Sequence, residues 1–388
     1  MEIKRYIDEK KDIQYALLEF IENTKNEEEN FAILISLINF QDFEKDPYEL
    51  ITILNLILKI SFYHNRSSTF FSKIERILMT IKDNIQQTFT NHQIFNLCKK
   101  NKRILLFFFK KVPLITIDDY IFSIMSSEKY VKQNYFSYFY PEVKSFLKSK
   151  NLESINKILQ VSNLDDFELN RENGENEHFL SELIRNDLID QFISYVKQND
   201  LPLSTLIKPS IFETNSLLVK KKKLSLIQYS AFFGSLQIFK YLHLNQIDIL
   251  DSSIWIYAIH GDNSELISYL EENEVELDEK TLKKIILEAI KCHHNDMVNY
   301  IQKNFLEIKN DDLEFNSKII KYFNYTFISN NLSIVNLFPY FCKYNHVIPV
   351  KILLNDSKID INQKIKVFFL IFFFLFLQFQ IFFIFKFR

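Results

Sequence analysis

The chain has 388 residues, with 47 basic and 49 acidic side chains and a formal net charge of −2, so it lacks the basic excess of a nucleic-acid-binding domain and no nucleic-acid partner is expected. Three glycines cannot build a glycine-rich phosphate loop or a dinucleotide fingerprint, and neither Gly-x-Ser-x-Gly nor His-Glu-x-x-His occurs. The chain is therefore read as non-enzymatic, with no cofactor and no catalytic residues.

The length leaves room for two or three domains, and scarce glycine and proline favour helices joined by short polar links. Cys98, Cys292 and Cys342 are far apart and odd in number, which fits a reduced, cytoplasmic setting better than a disulfide framework. The opening residues lack the apolar core of a signal peptide.

Taken in order, residues 1–165 read as an N-terminal helical domain. Asp46-Pro47-Tyr48-Glu49 is a helix start, with Asp as N-cap and Pro in the first turn. Ile74, Ile77, Leu78, Ile81 and Ile85 trace one apolar helix face. The apolar run 104–109 reads as a helix because its surroundings do. A polar stretch, 164–177, contains the turn signal Asn173-Gly174. Residues 166–223 are taken as a link that includes a degenerate capping hairpin at 178–199. The run Lys220-Lys221-Lys222-Lys223 reads as a solvated loop in preference to a nuclear signal.

Residues 224–310 hold a clear repeat. Ser230-Ala231-Phe232-Phe233-Gly234 is echoed by Tyr257-Ala258-Ile259-His260-Gly261 and by Glu288-Ala289-Ile290-Lys291-Cys292. Each copy leads into an apolar segment ending in Tyr, an aliphatic residue and then Asn: Tyr241 to Asn245, Tyr269 to Asn273, Tyr300 to Asn304. The tyrosines are 28 and 31 residues apart, a period that means stacked helical hairpins. Ala231, Ala258 and Ala289 are the expected points of close helix contact. Gly234 and Gly261 are expected at tight turns that favour positive φ, and the terminal Asn at left-handed caps.

Here the residues resemble the ankyrin repeat: residues 225–234 lie over its Thr-Pro-Leu-His-x-Ala-Ala-x-x-Gly pattern, matching at the Ser-for-Thr, Ser-Ala and Gly positions. More closely, residues 225–304 resemble the ankyrin-like domain of unknown function expanded in trichomonad protists. The departures from the pattern bear on the β-turn fingers of ordinary ankyrins, not on the helical hairpins. The resemblance implies an all-α solenoid acting as a protein–protein interaction scaffold for an unidentified protein partner. It also places Phe232, Phe233, Ile259, His260, Ile290 and Lys291 along the concave groove, and Trp255 where the family carries its motif histidine. Two readings of this groove stay open. It is either an exposed apolar patch that binds a partner or a surface already covered by the chain itself; for Trp255, core packing is preferred over a binding anchor. Cys292-His293-His294 with Asp296 has metal-binding atoms but no second ligand pair at zinc spacing, and no metal is expected there.

Residues 311–362 read as degenerate C-terminal repeats. In the tail, 363–388, residues 367–385 form an uncharged run of 19 residues, long enough to cross a bilayer as a helix. Three readings stand: a C-terminal membrane anchor, a buried final helix, or translated AT-rich sequence beyond a frameshift. A tail-anchored protein whose C-terminus is the functional element is the alternative to the scaffold.

Overall fold

The computed structural model describes residues 2–150, 164–221, 223–245, 250–305, 312–328 and 334–355. As the composition implies, the described chain is all-helical, with one isolated bridge between Leu206 and Ser225 and no strand. Among the described residues no helix is long and apolar enough to cross a membrane. The run 367–385 lies outside them, as does the whole tail 363–388.

The helix start at Asp46 is as expected. The helix Pro47–Tyr63 follows, and the Tyr48 N–H donates to Asp46 Oδ1 at 3.0 Å. The apolar run 104–109 lies in the helix Lys102–Lys110, capped where Asn101 accepts from the Ile104 N–H. The face traced by Ile74 to Ile85 is buried throughout, but it spans two helices, Phe70–Thr80 and Lys82–Thr88, with Ile81 between them. Periodicity reports a buried face and is blind to such a joint.

The chain forms two compact units, one from the described residues of Met1–Leu56 and Glu307–Arg388, the other Ile57–Leu306. In the first, the helix Glu2–Glu22 packs on Glu27–Asn39, on the 3₁₀ turn Tyr325–Phe327 and on Val347–Asn355. Polar groups fix its core. The buried Lys10 ammonium lies 2.6 Å from the Glu49 carboxylate and 2.5 Å from Gln41 Oε1. The fully buried Gln14 donates to Asn324 and accepts from the Tyr325 N–H, so a bond spanning some 310 residues joins the two ends of this unit.

In the second unit the stretch expected to be a polar boundary is largely the helix Leu164–Asn173, which packs on Lys102–Lys110. Its Arg171 is fully buried and pairs with Glu142 at 2.7 Å and Glu168 at 3.1 Å. Four helical hairpins follow: Phe179–Arg185 with Ile189–Gln198, Leu226–Phe233 with Leu236–Leu244, Ile254–Gly261 with Ser264–Glu272, and Glu279–Cys292 with Asn295–Asn304. The first helix of each packs on the first helix of the next. Ala231, Ala258 and Ala289 are fully buried, at the places where a larger side chain would hold these helices apart.

The recurring Asn has a different role from the one expected. Asn199, Asn245 and Asn273 have ordinary negative φ. Each instead turns its side-chain amide back to the carbonyl of the Tyr four residues earlier, as does Asn304; Asn245 to Tyr241 is 2.7 Å. The Tyr-x-x-x-Asn signature thus satisfies an orphan carbonyl in the last turn. The left-handed residues are the ones after it, Asp200 and Glu274.

Candidate functional site at the hairpin turns

Between the two helices of each hairpin one residue takes positive φ: Asp187, Gly234, Asp262 and His293. The next N–H reaches the carbonyl five residues back, Leu188 to Leu183, Ser235 to Ser230 and His294 to Ala289, which is the Schellman closure of a helix end. Only Gly234 is a glycine; elsewhere Asp187, Asp262 and His293 hold the left-handed position, residue types enriched there among non-glycines.

Gly261 does not hold that position. It is the last helical residue before Asp262, one place earlier than its sequence match to Gly234 implied. Its lack of a side chain answers to packing. A Cβ there would lie 2.6 Å from the Ala231 carbonyl oxygen and 2.9 Å from Gly234 N, so the hairpins meet backbone to backbone. Gly261→Ala is expected to cost about 1–3 kcal/mol, the usual penalty for overfilling a packed contact. It should lower the urea midpoint at unchanged slope; unfolding curves that overlay wild type would show that the contact yields freely.

In the last three hairpins the residue after the left-handed position locks its hairpin to the one before. Ser235 Oγ donates to the Ile184 carbonyl, Asn263 Nδ2 donates to the Gly234 carbonyl at 2.7 Å, and His294 Nε2 lies 3.2 Å from the His260 carbonyl. These bonds cross from one repeat to its neighbour, so a scan of sequence neighbours cannot find them.

The six residues placed along the groove, together with Trp255, do not form an exposed surface. Phe232, Trp255, Ile259, His260 and Ile290 are buried, while Phe233 and Lys291 are half-buried. Trp255 is core, its indole N–H donating to the Val275 carbonyl. The His260 ring meets Phe232 edge-on at 4.2 Å. The turn after Tyr63 covers the far end: the Lys291 ammonium lies over the Tyr63 ring, and His64 Nδ1 is 2.7 Å from the Cys292 carbonyl oxygen. Of the two readings left open by the sequence, burial favours a surface covered by the chain itself.

This covering encloses a cluster of which the local run Cys292-His293-His294 displays only two members. His260, Cys292 and His294 are all buried, and one ligand-type atom from each lies within 4.8 Å of the other two. His260 Nδ1 is 3.4 Å from Cys292 Sγ, and His294 Nδ1 is 3.2 Å from the Asp262 carboxylate. Burial holds His260 well below the usual imidazole range and pushes the Cys292 thiol well above its own. His293 takes the left-handed cap and Asp296 starts the next helix; neither belongs to the three-residue cluster.

A second feature is an open cleft in the same unit, made of two adjoining cavities of about 110 and 70 Å³ that share Lys102, Gln133, Glu213 and Val219. Lys102 is buried against the rings of Tyr135 and Tyr138, and burial pushes its ammonium down to about 8 although Glu213 draws it up. Glu213 is buried as well, and burial pushes its carboxyl up. Exposed Lys100, Lys132, Lys208, Lys220 and Lys221 line the cavities. Lys132 is paired with Glu128. Two of the four consecutive lysines noted in the sequence therefore face a concavity that Lys100 and Lys102 reach from another part of the chain.

No protein-family model, no curated protein and no solved structure matches this chain.

Proposed function

We propose that the chain is a non-enzymatic, ankyrin-like interaction scaffold and that an acidic segment of its protein partner occupies the lysine-lined cleft. The observation that carries the scaffold reading is the succession of four like hairpins, each first helix packed on the next. A hairpin of this size cannot bury its apolar face alone, and stacking supplies the partner surface. The cleft gives the partner its chemistry. Four exposed lysines, a fifth paired with Glu128 and a buried sixth, against one buried carboxyl group in the lining, favour an anionic ligand and repel a cationic one. The covered groove leaves the cleft as the better accessible concavity.

The experiment is fluorescence anisotropy of a labelled oligoglutamate peptide with the chain and with a Lys100→Ala, Lys220→Ala, Lys221→Ala variant. All three side chains are exposed, so folding should be intact. Binding should weaken at least tenfold in the variant and fall as salt rises; equal binding by both proteins would sink the proposal. The uncharged run 367–385 supports the other reading, a membrane anchor. Sedimentation with neutral lipid vesicles separates the two, because an anchored chain pellets only when residues 363–388 are present.

A further inference from the structure

We infer that His260, Cys292 and His294 form a buried site for a divalent metal ion of zinc type, bridging the third and fourth hairpins. A thiolate with two imidazoles is a donor set that selects zinc over magnesium or calcium. With metal–sulfur and metal–nitrogen bonds of about 2.3 and 2.0 Å, tetrahedral ligands stand about 3.5 Å apart. His260 Nδ1 and Cys292 Sγ are at 3.4 Å. The remaining separations, all within 4.8 Å, close by about an ångström of side-chain rotation to reach that value.

His294 supplies the second argument. Its Nδ1 faces the Asp262 carboxylate at 3.2 Å and its Nε2 faces the His260 carbonyl oxygen at 3.2 Å. A neutral imidazole has one N–H, so it cannot donate to both. If the proton stays at Nδ1 towards Asp262, Nε2 presents a lone pair to a carbonyl oxygen, which is unfavourable; the 3.2 Å gap is too short to hold an ion, so the ring turns Nε2 away from that oxygen to bind one. A carboxylate holding the outer N–H of a ligating histidine is the usual support of a zinc site. The competing arrangement is a buried imidazolium bonded to both oxygens, with no metal. Water would fill the fourth position, since Glu288, with an oxygen 3.8 Å from Sγ, is paired with Lys291.

Binding converts the Cys292 thiol and a solvated Zn²⁺ into a zinc thiolate and one released proton, with no change of oxidation state. The ion would staple two hairpins already joined by packing, hydrogen bonds and the His294–Asp262 pair. His294→Asn removes the metal ligand at a place where an amide fits, because Asn263 holds the corresponding place one hairpin earlier and donates to the neighbouring carbonyl. That variant loses the metal ligand and offers the His260 carbonyl an amide donor that a metal-bound Nε2 does not supply.

The test strips the full-length chain with a chelator and titrates it with Co²⁺ and then Zn²⁺. One equivalent of Co²⁺ per chain should give a thiolate-to-cobalt absorption band that Zn²⁺ abolishes, and Zn²⁺ should raise the melting temperature. His294→Asn should weaken Co²⁺ binding at least tenfold and Cys292→Ser should remove the band, while Cys98→Ala and Cys342→Ala retain it. Wild-type protein that binds no stoichiometric metal overturns the inference by itself, whether or not the variants fold. A band that survives Cys292→Ser overturns it as well.

Discussion

Serine in place of Ile259 is expected to cost about 3–5 kcal/mol, because a large side chain leaves the core and a hydroxyl enters it without an assured partner. Ile259 is 1 % exposed, in a helix packed between the first helices of the second and fourth hairpins. Phe232→Ser should behave alike, since its ring lies against His260. Together the two changes approach the whole stability of an ordinary domain, so the double variant should show no cooperative urea transition. The alternative outcome is sharp. If these positions formed an open recognition groove, serine would abolish partner binding and leave the melting temperature where it was.

Removing Arg171 is expected to be almost as damaging. Its guanidinium is fully buried between Glu142 and Glu168 and lies near the rings of Tyr138 and Phe167. Arg171→Ala opens a cavity, strands the Glu142 carboxylate and leaves Glu168 with Lys110 alone, a loss of about 3 kcal/mol, at the low end for broken buried pairs because both glutamates keep some contact with water. Arg171→Met combined with Glu142→Gln and Glu168→Gln should recover most of that stability, since an apolar replacement avoids the desolvation of charge. If Arg171→Ala unfolds at the wild-type urea midpoint, or the triple variant is no better than the single, the pair is not holding this helix in place.

What the sequence determined by itself was the class of local structure. Glycine scarcity and helical spacing imply an all-helical chain, and Asp46-Pro47 marks a helix start. The spacing of Tyr241, Tyr269 and Tyr300 marks repeated hairpins, because period and capping are properties of near neighbours. Tertiary structure decided the rest. The expected left-handed Asn proved to act through its side-chain amide, and Gly261 answers to the Ala231 carbonyl of the preceding hairpin instead of to its own turn. The apolar residues Phe232, Ile259 and Ile290 look alike in sequence whether covered or bare, and only the packed chain shows them covered. Likewise His260 and Cys292 are 32 residues apart. No local motif links them, because the contact is made across one repeat, where stacking and not spacing along the chain sets which side chains meet.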